Sequence, residues 1–155
     1  MKLKTSRFGE IDIENDRIIT FPDGIIGFRE LKKFALIAKK SQALMWLQSV
    51  DDPQIAFVVS DPFSFDVTYD PILSAEDREH LELEDATDAR YLVIVVVPPN
   101  PKEMTANMLG PIVVNAKKKI GRQVILVDSS YSVKQPILSG RPQVESTSDP
   151  NVLVG

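Results

Sequence analysis

The chain has no cysteine and one histidine, His80, among its 155 residues. Without cysteine there are no disulfides, no thiolate metal sites and no cysteine nucleophile. Because the chain has a single histidine, histidine metal clusters and Ser-His-Asp catalysis are also nearly excluded. These two shortages exclude many of the catalytic and metal sites that a sequence can reveal.

Long apolar runs are also missing from the sequence. No segment approaches the roughly 20 apolar residues that a membrane-spanning helix needs. The charged start Met1–Thr5 is not followed by the apolar stretch of a signal peptide. We therefore expect a cytoplasmic protein without membrane contact.

The overall composition is ordinary, with 43% hydrophobic and 26% charged residues. These values are typical of a soluble globular protein, and the length suits one domain with a sizeable core. From Arg141 onward the chain contains few residues that form cores. We expect a β-barrel domain over residues 1–140 and a mobile C-terminal tail over residues 141–155.

Short apolar runs separated by turn signals dominate the chain. Tyr91–Val97 is continuously apolar and rich in valine, which favours a strand covered on both faces. About ten strands at this spacing predict an all-β, mainly antiparallel fold, a compact barrel-like single domain with one or two short helices. The predicted helices are Ser74–Leu83, capped by Ser74, and Pro101–Met108. The predicted strands are two within Lys2–Ile13, then Arg17–Phe21, Phe34–Ala38, Leu44–Val50, Ile55–Val59, Phe63–Tyr69, Tyr91–Val97, Ile112–Asn115, Gln123–Val127 and Tyr131–Val133.

One predicted strand carries a candidate binding surface for a partner. Residues Phe63 to Tyr69 alternate between apolar and polar, so that Phe63, Phe65, Val67 and Tyr69 share one face. That face is either part of the core or an edge strand that pairs with an extended segment of a partner.

The charges are unevenly distributed along the chain. The net charge is −4, yet residues 61–90 hold ten acids and two bases, so this segment is −8 and the remainder is +4. Such a segment repels nucleic acid and attracts basic surfaces. The candidate partner-binding acids are Glu76, Asp77, Glu79, Glu82, Glu84, Asp85 and Asp88.

The other motifs favour simpler explanations. His80 lies near several glutamates, but the spacing fits no metal site and suits a solvated acidic helix face better. Residues Gly24–Gly27 have too few glycines for a phosphate loop. Lys117–Gly121 is interpreted as a basic, solvated turn with Gly121 at its tight point. We therefore predict no catalytic residue, no metal and no cofactor.

Several runs of residues together resemble the FliW family. The similarity extends from about Leu3 to Leu138, and the order and spacing of the runs make it specific. The runs are Phe8–Ile11, Ile19–Phe28, Trp46–Pro53, Ala56–Phe57, Asp61–Pro62, Met104–Asn115 and Gln123–Leu126.

The resemblance implies a barrel-like β fold and no enzyme activity. FliW-like proteins bind flagellin in the cytoplasm and, when free of it, bind and antagonise CsrA, an RNA-binding repressor of flagellin translation. The resemblance further implies that CsrA is bound away from its RNA site, with no direct contact between FliW and nucleic acid. Two alternatives stay open: a flagellin-specific secretion chaperone without CsrA activity, and a β-barrel that binds a small molecule such as a flavin.

Overall fold

The computed structural model describes residues 1–38, 44–127 and 129–137. The predicted tail over residues 141–155 lies outside the described residues. Within them the helix is α1 (Ala75–His80), and 3₁₀ turns lie at Asn15–Arg17, Pro62–Ser64, Ala86–Asp88 and Pro101–Glu103. The strands are β1 (Lys2–Thr5), β2 (Gly9–Asp12), β3 (Ile18–Thr20), β4 (Lys33–Ala38), β5 (Leu44–Ser49), β6 (Ala56–Ser60), β7 (Ala89–Val96), β8 (Thr105–Ala106), β9 (Ile112–Asn115), β10 (Ile120–Gln123) and β11 (Gln135–Pro136).

Seven strands close into a barrel in the order β7-β6-β5-β4-β3-β10-β9, with β9 pairing back onto β7. All of these neighbours are antiparallel except β10 and β3, which meet in parallel where Ile120 lies beside Thr20. The expected all-β, mainly antiparallel barrel is therefore confirmed. β8 and β11 extend the sheet beyond β7, and β1 and β2 form a separate hairpin.

Two hydrophobic cores lie on opposite faces of the barrel wall. The first, the barrel core, fills the interior. Its buried members are Ile19, Phe21, Ile25, Leu31, Phe34, Leu47, Val59, Leu92, Ile112 and Val114. The second, the outer core, includes the outward side chains of β7 and β9 and is covered by residues 62–83, 104–111, 124–127 and 129–137, here called the outer layer.

Strand β7 serves both cores, as its continuous apolar sequence predicts. Leu92 belongs to the barrel core, whereas Val93 and Val95 belong to the outer core. The prediction that this strand is covered on both faces is confirmed for Leu92–Val95, whereas Val96 is 60% exposed.

The strand predicted over Phe63–Tyr69 is wrong. The Asp61 carboxylate accepts a hydrogen bond from Phe63 N at 2.9 Å and caps the 3₁₀ turn Pro62–Ser64. The Asp66 carboxylate then accepts from Thr68 N at 3.0 Å. These local bonds give the backbone an alternative to a sheet ladder, and apolar alternation alone does not reveal them.

The helix predicted over Pro101–Met108 is also wrong beyond its first turn. Asn100 caps the 3₁₀ turn Pro101–Glu103, and the next residues form β8 instead. Since β8 pairs with both β7 and β11, sheet hydrogen bonds replace the helical ones. The helix α1, in contrast, begins after Ser74 as expected.

The last two predicted strands are displaced. β10 starts at Ile120 within the expected turn and ends at Gln123, and β11 replaces the strand expected at Tyr131–Val133. Gly121 lies inside β10 and not at a turn, and a Cβ there would approach the Phe21 ring to 2.6 Å. The regular ladder stops beside Pro111, which has no N–H to donate.

Candidate partner-binding surfaces

The three candidate aromatics do not share one face. Phe65 and Tyr69 are buried in the outer core, while Phe63 is 37% exposed and Val67 is 82% exposed. The Phe63 ring lies 5.8 Å from the Tyr69 ring and 5.9 Å from the Tyr91 ring, measured between centroids. Phe65 and Tyr69 therefore hold the loop in place, and Phe63 is the aromatic of the three with surface to offer.

Tyr69 joins the segment 62–83 to two other segments of the outer layer. Its hydroxyl donates to Met108 O at 2.6 Å, and its ring packs at 4.7 Å against Tyr131. The Tyr131 hydroxyl in turn accepts from Asp70 N at 2.8 Å. Burial, with smaller contributions from nearby tyrosines and Asp66, raises the pKa of Tyr69 far above its usual value. The buried phenol thus acts as a neutral structural donor.

The acidic lobe, residues 76–88, consists of α1 and the connection to β7. Ser74 Oγ accepts from Asp77 N at 3.0 Å and begins the helix. Glu82 has a positive φ of 52°, and Asp85 accepts from Thr87 N at 2.9 Å to cap the turn Ala86–Asp88. That backbone hydrogen bond is the main cause that lowers the pKa of the Asp85 carboxyl.

Basic residues after β9 neutralise part of the acidic lobe. Arg122 Nε lies 3.1 Å from Asp77 Oδ1, and the Arg122 guanidinium also contacts Asp23. Lys118 Nζ lies 3.2 Å from Glu82 Oε1, and Lys117 Nζ lies 3.7 Å from Asp88 Oδ2. These ion pairs join the lobe to β10 and to the turn between β9 and β10.

Four acids of the lobe point into solvent. They are Glu76, Glu79, Glu84 and Asp85, and they have no ion pair with any other residue of the described part of the chain. His80 is exposed beside them, with Nδ1 2.9 Å from Glu76 O. Among residues 1–38, 44–127 and 129–137, no group of three or more His, Cys, Asp or Glu is arranged to hold a metal ion. The lobe therefore presents a surface of free negative charge.

A cavity of about 490 Å³ opens at one end of the barrel. Apolar side chains of the barrel strands line part of it, including Ile19, Leu36 and Met45. Phe63 and Tyr91 lie beside them, and burial raises the pKa of Tyr91. The charged side chains at this cavity are Asp16, Arg17, Asp61, Arg90 and Lys119.

The chain that follows β10 is not a regular strand, although it still pairs with residues 109–111. Val124 N donates to Pro111 O and Leu126 N to Leu109 O, both at 2.9 Å. The alternate residues Ile125 and Val127 are 50% and 74% exposed.

Comparisons with known proteins agree on one family. The family model described as FliW protein matches residues 2–137. The chain belongs to the FliW family. It is 43% identical over 142 residues to the flagellar assembly factor FliW of Syntrophus aciditrophicus, covering 91% of this chain and 90% of that protein. The corresponding factor of Alkaliphilus metalliredigens is 41% identical over 151 residues, covering 96% of this chain and 93% of that protein.

A solved structure supports the same conclusion. The crystal structure of a flagellar assembly factor FliW superposes with a TM-score of 0.82 at 36% identity, covering 88% of this chain and 96% of that one. As a FliW family member, the chain is a flagellar assembly factor, a role that names no catalysed reaction. No helix of the described residues is long and apolar enough to cross a membrane.

Sequence reasoning missed two features of this FliW family member. The pairing of Arg122 and Lys118 with the acidic lobe joins residues 45 and 36 positions apart, so that no local pattern signals it. The irregular pairing of Val124 and Leu126 with Pro111 and Leu109 did have a signal, because Pro111 lacks the N–H that a regular ladder would need.

Proposed function

We propose that this FliW family member binds flagellin in the cytoplasm and, when free of flagellin, binds and antagonises the translational repressor CsrA. The observation that carries the proposal is the family match over residues 2–137. In this role the protein regulates flagellin translation by binding alone, without catalysis, cofactor, membrane or direct contact with nucleic acid.

The acidic lobe is the proposed surface for CsrA. A protein that binds RNA presents basic surface, and affinity for RNA depends strongly on the neutralisation of phosphates. Glu76, Glu79, Glu84 and Asp85 offer exposed negative charge that attracts a basic protein and repels RNA, while CsrA itself docks away from its RNA site. Asp77, Glu82 and Asp88 contribute less, because each already faces a base of this chain.

Part of the candidate surface at Phe63–Tyr69 can serve as a contact for flagellin. Phe65 and Tyr69 are buried, so neither is available to a partner without unfolding the outer layer. Phe63 stays half-exposed at the barrel cavity and is the aromatic contact that we retain.

The test is a pull-down of the purified chain with CsrA and with flagellin, each alone and then in competition. Binding of both proteins, with flagellin displacing CsrA, is the expected result. Binding of flagellin alone would favour the alternative of a secretion chaperone without CsrA activity. Binding of neither would overturn the proposal.

The barrel cavity favours a second candidate, a small-molecule-binding protein. Its volume of about 490 Å³ falls within the range of small-molecule pockets, and its wall is partly apolar and aromatic. Native mass spectrometry and a visible absorption spectrum of the purified protein test this alternative. A stoichiometric bound compound would support it, whereas the mass of the bare chain would count against it.

A further inference from the structure

Three consecutive lysines in the turn between β9 and β10 reach two different surfaces. Lys117 and Lys118 pair with Asp88 and Glu82 of the acidic lobe. Lys119 lines the barrel cavity instead, and it has no carboxylate partner among the described residues. The turn therefore leaves the charge of one lysine to the cavity.

The barrel holds Lys119 at this position by its backbone. The Lys119 N–H donates to Asn115 O at 2.8 Å, and its carbonyl accepts from Thr20 N at 2.9 Å. Its φ is 56°, in the left-handed region that few residues other than glycine adopt. Because bonds to the ends of β9 and β3 fix this backbone, the fold itself places Lys119 at the cavity.

Two arginines add positive charge to the same cavity. Arg17 ends the 3₁₀ turn before β3, and Arg90 lies on β7. The Arg90 guanidinium donates to the carbonyl oxygens of Thr87 and Ala89, which carry no net charge. Neither arginine has a carboxylate partner within residues 1–38, 44–127 and 129–137. Both charges are therefore free of ion pairs in this part of the chain.

The acids at the cavity do not cancel these bases. They are Asp16 and Asp61, so three bases and two acids give a charge of +1. The Asp61 carboxylate is also engaged, since it accepts from Phe63 N at 2.9 Å. The cavity is thus positive in a chain whose net charge is −4. Such a site attracts an anion.

The inner wall of the cavity is apolar and aromatic. Ile19, Leu92 and Val114 of the barrel core form part of it. The rings of Phe63 and Tyr91 also line it, and they meet nearly edge to face, at 87° with centroids 5.9 Å apart. Aromatic rings contact one another favourably in edge-to-face and offset geometries. The wall therefore suits the apolar ring of a ligand.

We propose that the barrel cavity binds an aromatic carboxylate. Its ring would lie against the apolar wall beside Phe63 and Tyr91, and its carboxylate would accept a hydrogen bond from Lys119. Arg17 and Arg90 would add to the attraction without a direct bond. The proposal rests on the second candidate function, a small-molecule-binding protein, and names its class of ligand.

Titration calorimetry with naphthoate and its neutral amide, naphthamide, tests the charge of the ligand. The two probes share one ring system and differ in the carboxylate. We expect saturable binding of naphthoate, about tenfold tighter than that of naphthamide, because the bond from Lys119 is charge-assisted. Equal affinities for the two probes would overturn the proposal, as would the absence of saturable naphthoate binding.

The substitution Lys119→Gln tests the charge of the protein. It should weaken naphthoate binding about fivefold and leave naphthamide binding unchanged. The matched control Lys102→Gln removes an exposed lysine that does not line the cavity, and it should change neither affinity. Equal weakening of naphthoate binding by both substitutions would overturn the proposal, because only the net charge would then matter.

Methyl NMR of the unmutated chain locates the ligand without any variant. Naphthoate should shift the methyl signals of Leu36 and Met45 in the cavity and leave those of the exposed Val67 and Ile72 unchanged. Shifts confined to Val67 and Ile72 would overturn the proposal.

The same NMR experiment separates this site from the second candidate function. If native mass spectrometry shows the bare chain but added naphthoate shifts the cavity methyls, the candidate function fails and the site stands. If a compound is found bound but naphthoate leaves the cavity methyls unchanged, the candidate function stands and the aromatic carboxylate is overturned.

Discussion

The barrel core and the outer core are both apolar, but different kinds of bond hold their backbones. Around the barrel core the strands pair in register, as in the five residue pairs that join β4 to β5. The outer layer is mostly irregular, and side chains such as Asp61, Tyr69 and Asn107 satisfy its backbone groups. The barrel therefore forms the regular frame, and the outer layer and the acidic lobe form the surfaces that we propose for partner binding.

The largest difference between the two regions should appear on removing a phenylalanine from each. Phe34 is fully buried between the Phe21 and Phe57 rings, at centroid distances of 5.4 and 6.0 Å. Phe34→Ala should lower the free energy of unfolding by about 4 kcal/mol. The matched change Phe63→Ala on the outer layer should cost only about 1 kcal/mol. Urea denaturation measures both values. Equal losses of unfolding free energy would show that the outer layer contributes as much to stability as the barrel core.

The next effect concerns Asn115, the residue that joins the barrel to the acidic lobe. It is 2% exposed, and its Nδ2 donates to Leu81 O at 2.9 Å and Glu82 O at 3.1 Å. Its Oδ1 accepts from Lys117 N and Lys118 N. Asn115→Ala leaves these groups unsatisfied and should cost about 2–3 kcal/mol of unfolding free energy.

A control for the Asn115 prediction is Asn115→Asp, which keeps the acceptor for the lysine amides but loses both donors. Exchange of the Lys117 and Lys118 amides should stay slow in the aspartate variant and become fast in the alanine variant. A stability loss below about 1 kcal/mol for Asn115→Ala, within the range of a single ordinary hydrogen bond, would contradict the joining role.

The contrast between regular and irregular backbone also explains which predictions succeeded. The strands that line the barrel are short apolar runs bounded by turn signals, so β3–β7 and β9 lie within one or two residues of their predicted bounds. The outer layer depends on particular groups, such as the Asp61 cap and the missing N–H of Pro111, which outweigh periodicity. The acidic residues of the lobe could be found by counting charges along the sequence. Their partners Lys117, Lys118 and Arg122 could not, because the barrel topology brings them next to the lobe from distant positions in the chain.

A smaller effect is expected at the phenol of Tyr69. Tyr69→Phe removes the bond to Met108 O and should cost about 1 kcal/mol near neutral pH. Because burial raises the folded-state pKa of Tyr69 and Tyr91, their stabilisation is complete below the unfolded value and falls as the pH rises. Stability of the unmutated chain should therefore decline above about pH 10. Denaturation at several alkaline pH values should show a shallower decline for Tyr69→Phe, and equal slopes would contradict this account.

The smallest effect on stability, and the sharpest on function, is expected at the acidic lobe. Glu79→Lys with Glu84→Lys reverses two exposed acids that have no ion pair in the described part of the chain, so the free energy of unfolding should change by less than about 0.5 kcal/mol. If CsrA docks here, its association rate should fall about tenfold at low salt, because charges at an interface rim act mainly on diffusional encounter. The difference should shrink near 1 M salt, where the Debye length is about 3 Å. Glu14→Lys with Glu30→Lys changes the net charge equally at exposed positions outside the lobe and is the matched control. Stopped-flow binding across a salt series distinguishes the two pairs of substitutions. Equal slowing of association by both pairs would show that only the net charge of the protein matters and that CsrA does not dock at the lobe.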